Sequence, residues 1–547
     1  MHLPFQRILV CGEVLFCAQG GTIHAFNIKD HSYLGKWDHP DSAKEAEAQK
    51  ELAEQKATKE VHEDSHDAEE SVEDGPPSKR VKLDPRSSTL TDTAATGSPA
   101  SGNGTGAEST NGEGKGRPKK GSRMAAPIPS DLPWVAILVA TSDSRHLVAV
   151  SGHDKTIWTF SHDGAGKLTE LSKRSMPKRP CAVAITADNQ TIISGDKFGD
   201  VFALPLIESD TPIAVTTLVS RSEKRKASFK PEADETTVHS MRNLRALANQ
   251  KLHLEQHKKK PAEAEDADAS GPAFDHALLL GHVSMLTALA LSSRPSPSDP
   301  NVIRPYIITG DRDEHIRVSR GIPQSHVIEN FCLGHENFVS DLCIPTVQPE
   351  RLLISGGGDS DLFLWDWPSG KVLDRQNLLQ HVQSYDAAAA TLAVSKIVSF
   401  DKIQGEMQTY HMVAVICERQ VNPVPAIFLY EINESGSLSH KQTVFLPSNP
   451  LDAGSNDGDL IIALDTTSPT SRISSEYGDI MGAKSCLVYL GEDGQWMVRL
   501  FSVQPNRNLI RDMTREDLHR ALYPIESLRK APIEEREEEP ETAEKTN

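Results

Sequence analysis

The feature that most constrains how this chain can fold is a short pattern that returns at a nearly constant interval. A small residue, a turn rich in Gly and Asp, and then alternating apolar positions occur in SGHDKTIWTF (151–160), SGDKFGDVFAL (194–204), TGDRDEHIRVSR (309–320) and SGGGDSDLFLWDW (355–367). Gly152 lies 43 residues before Gly195, and Gly310 lies 46 residues before Gly356. Four-stranded propeller blades of the WD-repeat type recur every ~40–45 residues, with Gly-His before the blade and Trp-Asp after it. The interval therefore predicts a β-propeller.

Other parts of the chain extend the pattern. Gly-His pairs occur at 281–282 and 334–335, and Trp-Asp occurs at 365–366. Weaker copies of the pattern occur at 17–28 and 490–501, and a less regular unit spans 411–432. A single blade exposes both faces of its sheet, and a closed ring buries them against neighbouring blades. We expect an all-β, seven-bladed WD-repeat β-propeller, with six blades as the next choice. The predicted blades lie near 3–37, 131–173, 178–220, 278–328, 332–379, 388–446 and 458–503.

Three segments are too polar to enter a core. Residues 38–130 and 221–272 are long, charged and rich in small residues, and residues 531–547 are mostly Glu. Such segments bury too little apolar surface to offset chain entropy, so we expect two disordered insertions between blades and an acidic disordered tail. The predicted organisation is blade 1 in 1–37, an insertion in 38–130, blades 2 and 3 in 131–220, a charged insertion in 221–272, blades 4 to 7 in 273–506, a C-terminal helix in 507–530 and the tail in 531–547.

The spacing of Leu518, Leu522 and Ile525 predicts a short helix near the C-terminus. Thr514, three residues before Asp517, predicts its N-cap. We expect this helix to pack on the rim of the propeller, either as packing alone or with a role in partner binding.

Several polar residues have a structural explanation in this fold. In a WD-type blade, a His before the first strand, a Ser or Thr on the second strand, an Asp in the next turn and a Trp on the third strand form a buried hydrogen-bond network. Because buried polar groups need partners, we interpret these residues as structural rather than catalytic. One predicted network is His282, Thr309 and Asp313, and the other is His335, Ser355, Asp359 and Trp365.

The sequence lacks the common motifs of catalysis and cofactor binding. It contains no phosphate-binding loop, no G-x-G-x-x-G that opens a helix, no H-E-x-x-H and no G-x-S-x-G. Its seven cysteines are scattered, without a C-x-x-C pair, which favours reduced thiols in an intracellular protein. The chain has no apolar run long enough to span a membrane, and we expect no signal peptide. We expect no catalytic residue, no bound cofactor, no metal site and no membrane partner.

A short basic cluster lies within the first insertion. Lys79, Arg80 and Lys82 stand between prolines in PPSKRVKLDP (76–85), and the cluster resembles a monopartite nuclear localisation signal. RSEKRKASFK (221–230) is a weaker second candidate. The alternative is a chance basic patch in a charged linker. We expect nuclear localisation.

Three strings carry a closer resemblance, namely GDKFGDV (195–201), GHVSML (281–286) and GDRDEHIRVS (310–319). With their flanking residues they resemble the non-catalytic WD-repeat subunit of eukaryotic tRNA (guanine-N7-)-methyltransferase. The resemblance is strong over blades 3 to 5 and thinner elsewhere. It implies that a separate Rossmann-type subunit carries S-adenosylmethionine and methylates a guanine in the tRNA variable loop. It also implies that the propeller binds this catalytic subunit as a heterodimer, holds it in its active conformation and helps to present the tRNA.

The charge of the chain limits its part in tRNA binding. The net charge is −19, of which −11 belongs to the part expected to fold. An acidic propeller should bind tRNA weakly on its own, so we expect tRNA to bind mainly through the complex.

The resemblance places the partner surface on one charged turn and its surroundings. The implied partner-binding residues are Asp311, Arg312, Glu314, His315, Arg317 and Lys197. Arg is common in WD repeats at the position of Arg317, so a structural role is the alternative there. Lys197 belongs to a turn in which Phe198 replaces the usual Asp. That turn marks either a weakened blade or a contact with an RNA phosphate or an acidic partner residue.

Two other functions remain open from the sequence. A generic nuclear scaffold, such as a chromatin or ubiquitin-ligase adaptor, would share the fold but would not need the charged turn at 310–319. An enzyme in its own right has the least support.

Overall fold

The chain folds into seven four-stranded antiparallel sheets, as seen in a computed structural model. The structure describes residues 3–42, 133–208, 274–297, 299–347, 350–404, 408–418, 425–433, 436–467, 485–501 and 514–530. The predicted disorder of 38–130, 221–272 and 531–547 and the basic cluster of Lys79, Arg80 and Lys82 fall almost wholly outside these residues. Among the described helices, none is long and apolar enough to cross a membrane.

The strands follow one another in chain order within each blade. Blade 1 contains β1 to β4, which are Arg7–Cys11, Val14–Gln19, Thr22–Asn27 and Tyr33–Asp38. Blade 2 contains β5 to β8, which are Val135–Ala140, His146–Ser151, Thr156–His162 and Leu168–Ser175. Blade 3 contains β9 to β12, which are Pro180–Ile185, Thr191–Asp196, Asp200–Pro205 and Ala277–Gly281. Blade 4 contains β13 to β16, which are Leu286–Pro295, Ile303–Asp311, Ile316–Arg320 and Ile328–Cys332.

The remaining three blades have the same plan. Blade 5 contains β17 to β20, which are Val339–Cys343, Leu352–Gly357, Asp361–Asp366 and Lys371–Asn377, and the helix α1, Leu378–Gln383, follows it. Blade 6 contains β21 to β24, which are Ala393–Gln404, Gln408–Glu418, Ala426–Ile432 and Leu438–Phe445. Blade 7 contains β25 to β28, which are Pro450–Asn456, Asp459–Leu464, Ser485–Leu490 and Trp496–Phe501. The helix α2, Arg515–Leu522, and a 3₁₀ turn, Ile525–Leu528, end the described chain.

The first strand of each blade lies innermost and packs against the first strands of its two neighbours, which closes the ring. The second and third strands are sandwiched between adjacent blades, so they are buried on both faces. Every residue of β2, β18 and β26 except Asp459 is buried, for example. The outermost strand has one covered face, and β4 shows the resulting alternation of partly buried and exposed residues. The seven-bladed prediction is confirmed.

The position of the second insertion differs from the prediction. The first insertion separates β4 from β5 and so lies between blades 1 and 2, as expected. The second separates β11 from β12, which pair with each other, and so lies inside blade 3 rather than between blades 3 and 4. The prediction was wrong because the strand before a Gly-His pair completes the preceding sheet. The sequence repeat and the structural blade are therefore out of phase by one strand.

The C-terminal segment, residues 514–530, lies over one end of the ring rather than on its rim. Thr514 accepts a hydrogen bond from the backbone N–H of Asp517 at 3.1 Å, so it caps α2 as predicted. Leu518 and Leu522 are buried in a cluster formed by blades 1 and 7. Tyr523 donates a hydrogen bond to Asp465 at the end of β26, at 2.7 Å.

Blade 5 contains the complete predicted hydrogen-bond network. Trp365 donates to the Ser355 hydroxyl at 2.7 Å, and that hydroxyl lies 2.7 Å from His335 Nε2. His335 Nδ1 lies 2.5 Å from Asp359. These four side chains therefore form one relay from the indole to the carboxylate.

Blade 4 uses a different aspartate from the one predicted. His282 contacts Thr309 at 2.7 Å, but its other ring nitrogen contacts Asp311 at 3.2 Å. Asp313 instead faces Lys530 at 3.1 Å. The prediction was wrong because it placed the acid four residues after the hydroxyl, as in blade 5. The residue two after the hydroxyl is an acid in blade 4, Asp311, but a glycine in blade 5, Gly357, so in blade 4 the nearer carboxylate contacts the histidine.

Replacing Ser355 by Ala should destabilise the chain, because the substitution leaves Trp365 Nε1 and His335 Nε2 buried without a partner. Each such group costs about 1–3 kcal/mol. Ser194 is the matched control. It occupies the equivalent position in blade 3, and its buried hydroxyl has no hydrogen-bond partner among the described residues. Urea titration of Ser194→Ala should show a change within about 0.5 kcal/mol. Equal losses in the two variants would contradict this role of the network.

Candidate functional site

Three turns of blades 3 and 4 meet to form one surface, which we call the blade 3–4 surface. They are residues 196–200, 282–285 and 311–315. Gly199 has φ of +94°, and a Cβ there would lie 2.6 Å from the carbonyl oxygens of His282 and Ser284. The backbone N–H of Arg312 donates to the carbonyl of Met285 at 2.9 Å. The middle turn therefore joins the other two.

The turn of blade 3 presents an exposed aromatic ring between two cations. Asp196 is buried and accepts the backbone N–H groups of Phe198 and Asp200, at 2.8 and 3.1 Å. The Phe198 side chain is thereby held outward, with 54% of its area exposed. Lys178 Nζ lies 4.6 Å and Lys197 Nζ 5.3 Å from the ring centroid. Such cation–π contacts keep both amines near the ring while its edge stays open.

Val283 adds a second apolar group on the adjoining turn. Its side chain is fully exposed. Since Gly199 abuts residues 282 and 284, Val283 and Phe198 stand on turns in direct contact. Exposed apolar groups that adjoin one another and are bordered by charges are typical of a protein-binding surface.

The turn of blade 4 is built around Asp311. This carboxylate accepts the backbone N–H groups of Asp313 and His315, at 2.9 and 3.0 Å, and also contacts His282. Burial alone would raise the pKa of Asp311, but the hydrogen bonds from His282 and the His315 N–H outweigh it and lower the pKa. Asp311 is thus a buried anion that shapes the turn, while His315 remains about half exposed.

Glu314 adopts a backbone conformation that favours glycine, with φ of +75°. A non-glycine residue in this left-handed region costs about 1–2 kcal/mol. The turn therefore carries a carboxylate at a position where glycine would be less strained. Backbone strain of this kind is often found at functional positions.

The C-terminal segment contacts this turn. Arg312 donates to the carbonyl of Leu528 at 2.7 Å. Lys530 Nζ lies 3.1 Å from Asp313 and 3.4 Å from Glu314. Hydrogen bonding to Asp313 is the main cause that raises the pKa of Lys530; desolvation opposes it, and the charge of Asp313 and the contact with Glu314 add to the rise. Because all three charges remain about half exposed, a partner can still contact them.

Arg317 is engaged by blade 4 itself. Its guanidinium donates to the carbonyl of Gly281 and to the hydroxyl of Ser319, both at 2.9 Å. Burial lowers its pKa. This side chain fixes the start of the middle turn, which favours the structural alternative for Arg317.

The implied partner residues therefore fall into two groups. Lys197, Arg312, Glu314 and His315 lie at the blade 3–4 surface, whereas Asp311 and Arg317 support it from within. The sequence pattern marks Phe198 only as the residue that replaces the usual Asp of the turn, not as a binding residue. It does not predict Val283, Lys178 or Lys530 at this surface. The apolar Phe and Val in otherwise polar turns were the available signal.

Comparison with known proteins identifies the family. The family model described as "tRNA methyltransferase TRM82 WD40 domain" matches residues 15–483. The chain belongs to this family. The resemblance inferred from the three sequence strings is confirmed.

Three relatives in this family carry the same name, which describes a subunit of a tRNA methyltransferase. A protein of Sclerotinia sclerotiorum named "tRNA (guanine-N(7)-)-methyltransferase non-catalytic subunit trm82" is 36% identical over 555 residues, covering 98% of this chain and 99% of the relative. A Coccidioides immitis protein of the same name is 40% identical and covers 60% of this chain and 63% of the relative. A Phaeosphaeria nodorum protein of the same name is 36% identical over 424 residues, and the match covers 72% of this chain and 82% of the relative.

The family match includes all three turns of the blade 3–4 surface but ends before the C-terminal segment. The alignment to the Sclerotinia sclerotiorum relative extends over almost the whole chain.

Proposed function

We propose that this chain is the non-catalytic subunit of a tRNA (guanine-N7-)-methyltransferase and that its blade 3–4 surface binds the catalytic subunit. The observation that carries the proposal is that two exposed apolar side chains, Phe198 and Val283, stand on turns that touch each other and whose sequences resemble the family most closely. In protein interfaces a few central side chains, often aromatic, supply most of the binding energy.

The charges at this surface favour a protein partner over RNA. Lys178 and Lys197 lie on the blade 3 side, whereas Asp313 and Glu314 lie on the blade 4 side. A nucleic acid would be repelled by the carboxylates, but a protein with complementary charges can pair with both ends. tRNA then binds mainly through the complex, with most of the positive surface on the catalytic subunit.

The chain contributes to methylation through conformation rather than chemistry. A subunit that binds the active conformation of its partner more tightly shifts the partner's population toward that conformation. In this proposal the catalytic subunit binds S-adenosylmethionine and forms N7-methylguanosine in the tRNA variable loop, and the propeller binds no cofactor.

Replacing Phe198 by Asp should weaken the heterodimer ~30-fold or more, since loss of a central aromatic anchor typically costs about 2 kcal/mol or more. Leu171→Asp is the matched control, because Leu171 is also exposed but lies on the outer strand of blade 2. Titration calorimetry with the catalytic subunit gives the affinities. tRNA methylation at limiting catalytic subunit should fall for Phe198→Asp alone and recover when that subunit is in excess.

Glu314→Gly separates binding from folding, because it relieves the left-handed strain while removing a surface carboxylate. It should keep or raise the melting temperature and still weaken the heterodimer. If both variants bind as tightly as Leu171→Asp, the blade 3–4 surface is not the interface. If the unaltered chain binds no catalytic subunit, the subunit assignment itself is wrong and a generic scaffold becomes the better interpretation.

We also propose that the chain acts in the nucleus, on the basis of the basic cluster in the first insertion. Replacing Lys79, Arg80 and Lys82 together by Ala should move a fluorescently tagged chain from the nucleus to the cytoplasm, because importin grooves bind such basic side chains. Replacing the basic residues of 221–230 is the control and should have a smaller effect. Unchanged nuclear fluorescence in the first variant would refute the signal.

A further inference from the structure

Two histidines and two aspartates converge where blade 1 meets blade 2. His39 and Asp41 follow β4, at the start of the first insertion, and His153 and Asp154 lie in the turn between β6 and β7. One ligand atom from each of these four side chains lies within 4.8 Å of the others. We call this group the His39 cluster.

Part of the His39 cluster is the hydrogen-bond network of blade 2. Trp158 donates to Ser151 at 2.8 Å, Ser151 donates to Asp154 at 2.5 Å, and His39 Nε2 lies 3.3 Å from Asp154. The same four residue types form the network of blade 5, but here the hydroxyl bonds the carboxylate directly, and His39, supplied from the other side of the first insertion, contacts that carboxylate. The network accounts for the side chains of His39 and Asp154, and the backbone N–H of Asp41 donates to His39 Nδ1 at 3.2 Å. The His153 ring is not part of this network.

His153 and Asp41 lie beside this network and add two more groups that can bind a cation. The His153 ring packs 4.6 Å from that of His39, and its Nε2 lies 3.4 Å from Asp41 Oδ2. About nine-tenths of the His153 side chain is buried. Its Nδ1 is buried without a hydrogen-bond partner among the described residues, and it lies 3.8 Å from Asp154 Oδ1. A buried ring nitrogen that faces a carboxylate beyond hydrogen-bond distance is a suitable ligand for a cation.

The charge of the His39 cluster also suits a divalent cation. Asp154 accepts hydrogen bonds from the Ser151 hydroxyl at 2.5 Å and from the Thr156 backbone N–H at 3.2 Å, and it lies 3.3 Å from His39 Nε2. These donors are the partners of an ionised carboxylate. With Asp41 it offers two negative charges beside two imidazoles. Imidazole nitrogens with carboxylate oxygens form a typical zinc ligand set, whereas Ca²⁺ and Mg²⁺ prefer oxygen alone.

We propose that the His39 cluster binds one Zn²⁺ through His39, Asp41, His153 and Asp154. Zinc bonds to nitrogen and oxygen are about 2.0–2.2 Å long, so modest side-chain rotations would bring the four ligands into range. Zinc would replace the proton between His39 Nε2 and Asp154. A neutral His39 would then carry its proton on Nδ1, so the hydrogen bond that the Asp41 backbone N–H now donates to Nδ1 at 3.2 Å would have to open, and Nδ1–H would turn to Asp41 Oδ2, which lies 3.8 Å away. This proposal departs from the sequence-based expectation of no metal site.

Such a site would stabilise the junction between blades 1 and 2. Asp41 and His153 are 112 residues apart in sequence, and most of the first insertion lies between them. A metal that bridges them would close this long loop and hold the end of β4 next to the turn between β6 and β7. Metal binding restricted to the folded state adds its binding free energy to stability.

The test uses the full-length chain after removal of metal with a chelator. Zn²⁺ titration by calorimetry should show one equivalent per chain and should raise the melting temperature. Substituting Co²⁺ should give the visible absorption bands of a low-symmetry site. Asp41→Asn and His153→Gln should each weaken binding by about 10- to 100-fold or more, the range for even outer-shell partners of metal sites.

Both variants keep His39, Ser151, Asp154 and Trp158, so the metal-free melting temperature should change little. The matched control is His411→Gln. His411 also contacts an aspartate, Asp401, at 2.8 Å, but it lies in blade 6. This control should bind zinc like the unaltered chain. No stoichiometric binding to the unaltered chain, undiminished binding in His153→Gln and Asp41→Asn, or an equal loss in His411→Gln would each overturn the proposal.

Discussion

The rest of this structure depends on how the ring is closed. No described strand is shared between the first and last blades, because blade 1 takes its four strands from residues 7–38 and blade 7 takes its four from residues 450–501. The seam between β1 and β25 is therefore held by side chains and by single hydrogen bonds, such as that from the Ile8 N–H to Asp452 at 3.0 Å. Apolar residues on both sides of the seam form one cluster, which Leu518 and Leu522 of α2 complete. The two ends of the chain thus have to meet before the propeller is stable.

The same C-terminal segment connects this seam to the proposed interface. After α2, the Ile525 N–H donates to Glu418 of blade 6 at 2.9 Å, and burial raises the pKa of that carboxyl to about 7. Arg529 then donates to the carbonyls of Gly358 and Leu392, at 2.9 and 3.0 Å. The segment ends beside the blade 4 turn, where Leu528 accepts from Arg312. The same segment therefore packs at the seam that closes the ring and forms hydrogen bonds to the blade 3–4 surface.

The sequence predicts the repeating elements well and the connections between them less well. Gly-Asp turns followed by short apolar runs predict most of the blades, because strands buried on both faces need apolar residues along most of their length. The aspartate partner of a histidine is not predictable by a fixed offset. It lies two residues after the hydroxyl in blade 4, three in blade 2 and four in blade 5. His39 was missed because the insertion separates it from Ser151 and Asp154, so its repeat cannot be recognised by interval.

The most direct test of this account is the stability of a chain carrying Leu518→Ala and Leu522→Ala. Leu-to-Ala changes in a core typically cost about 2–5 kcal/mol each, so the urea midpoint should fall markedly. Arg520→Ala, on the exposed side of the same helix, should leave it nearly unchanged. If the double variant unfolds at the same urea concentration as Arg520→Ala, the C-terminal helix does not hold the seam and the account is contradicted.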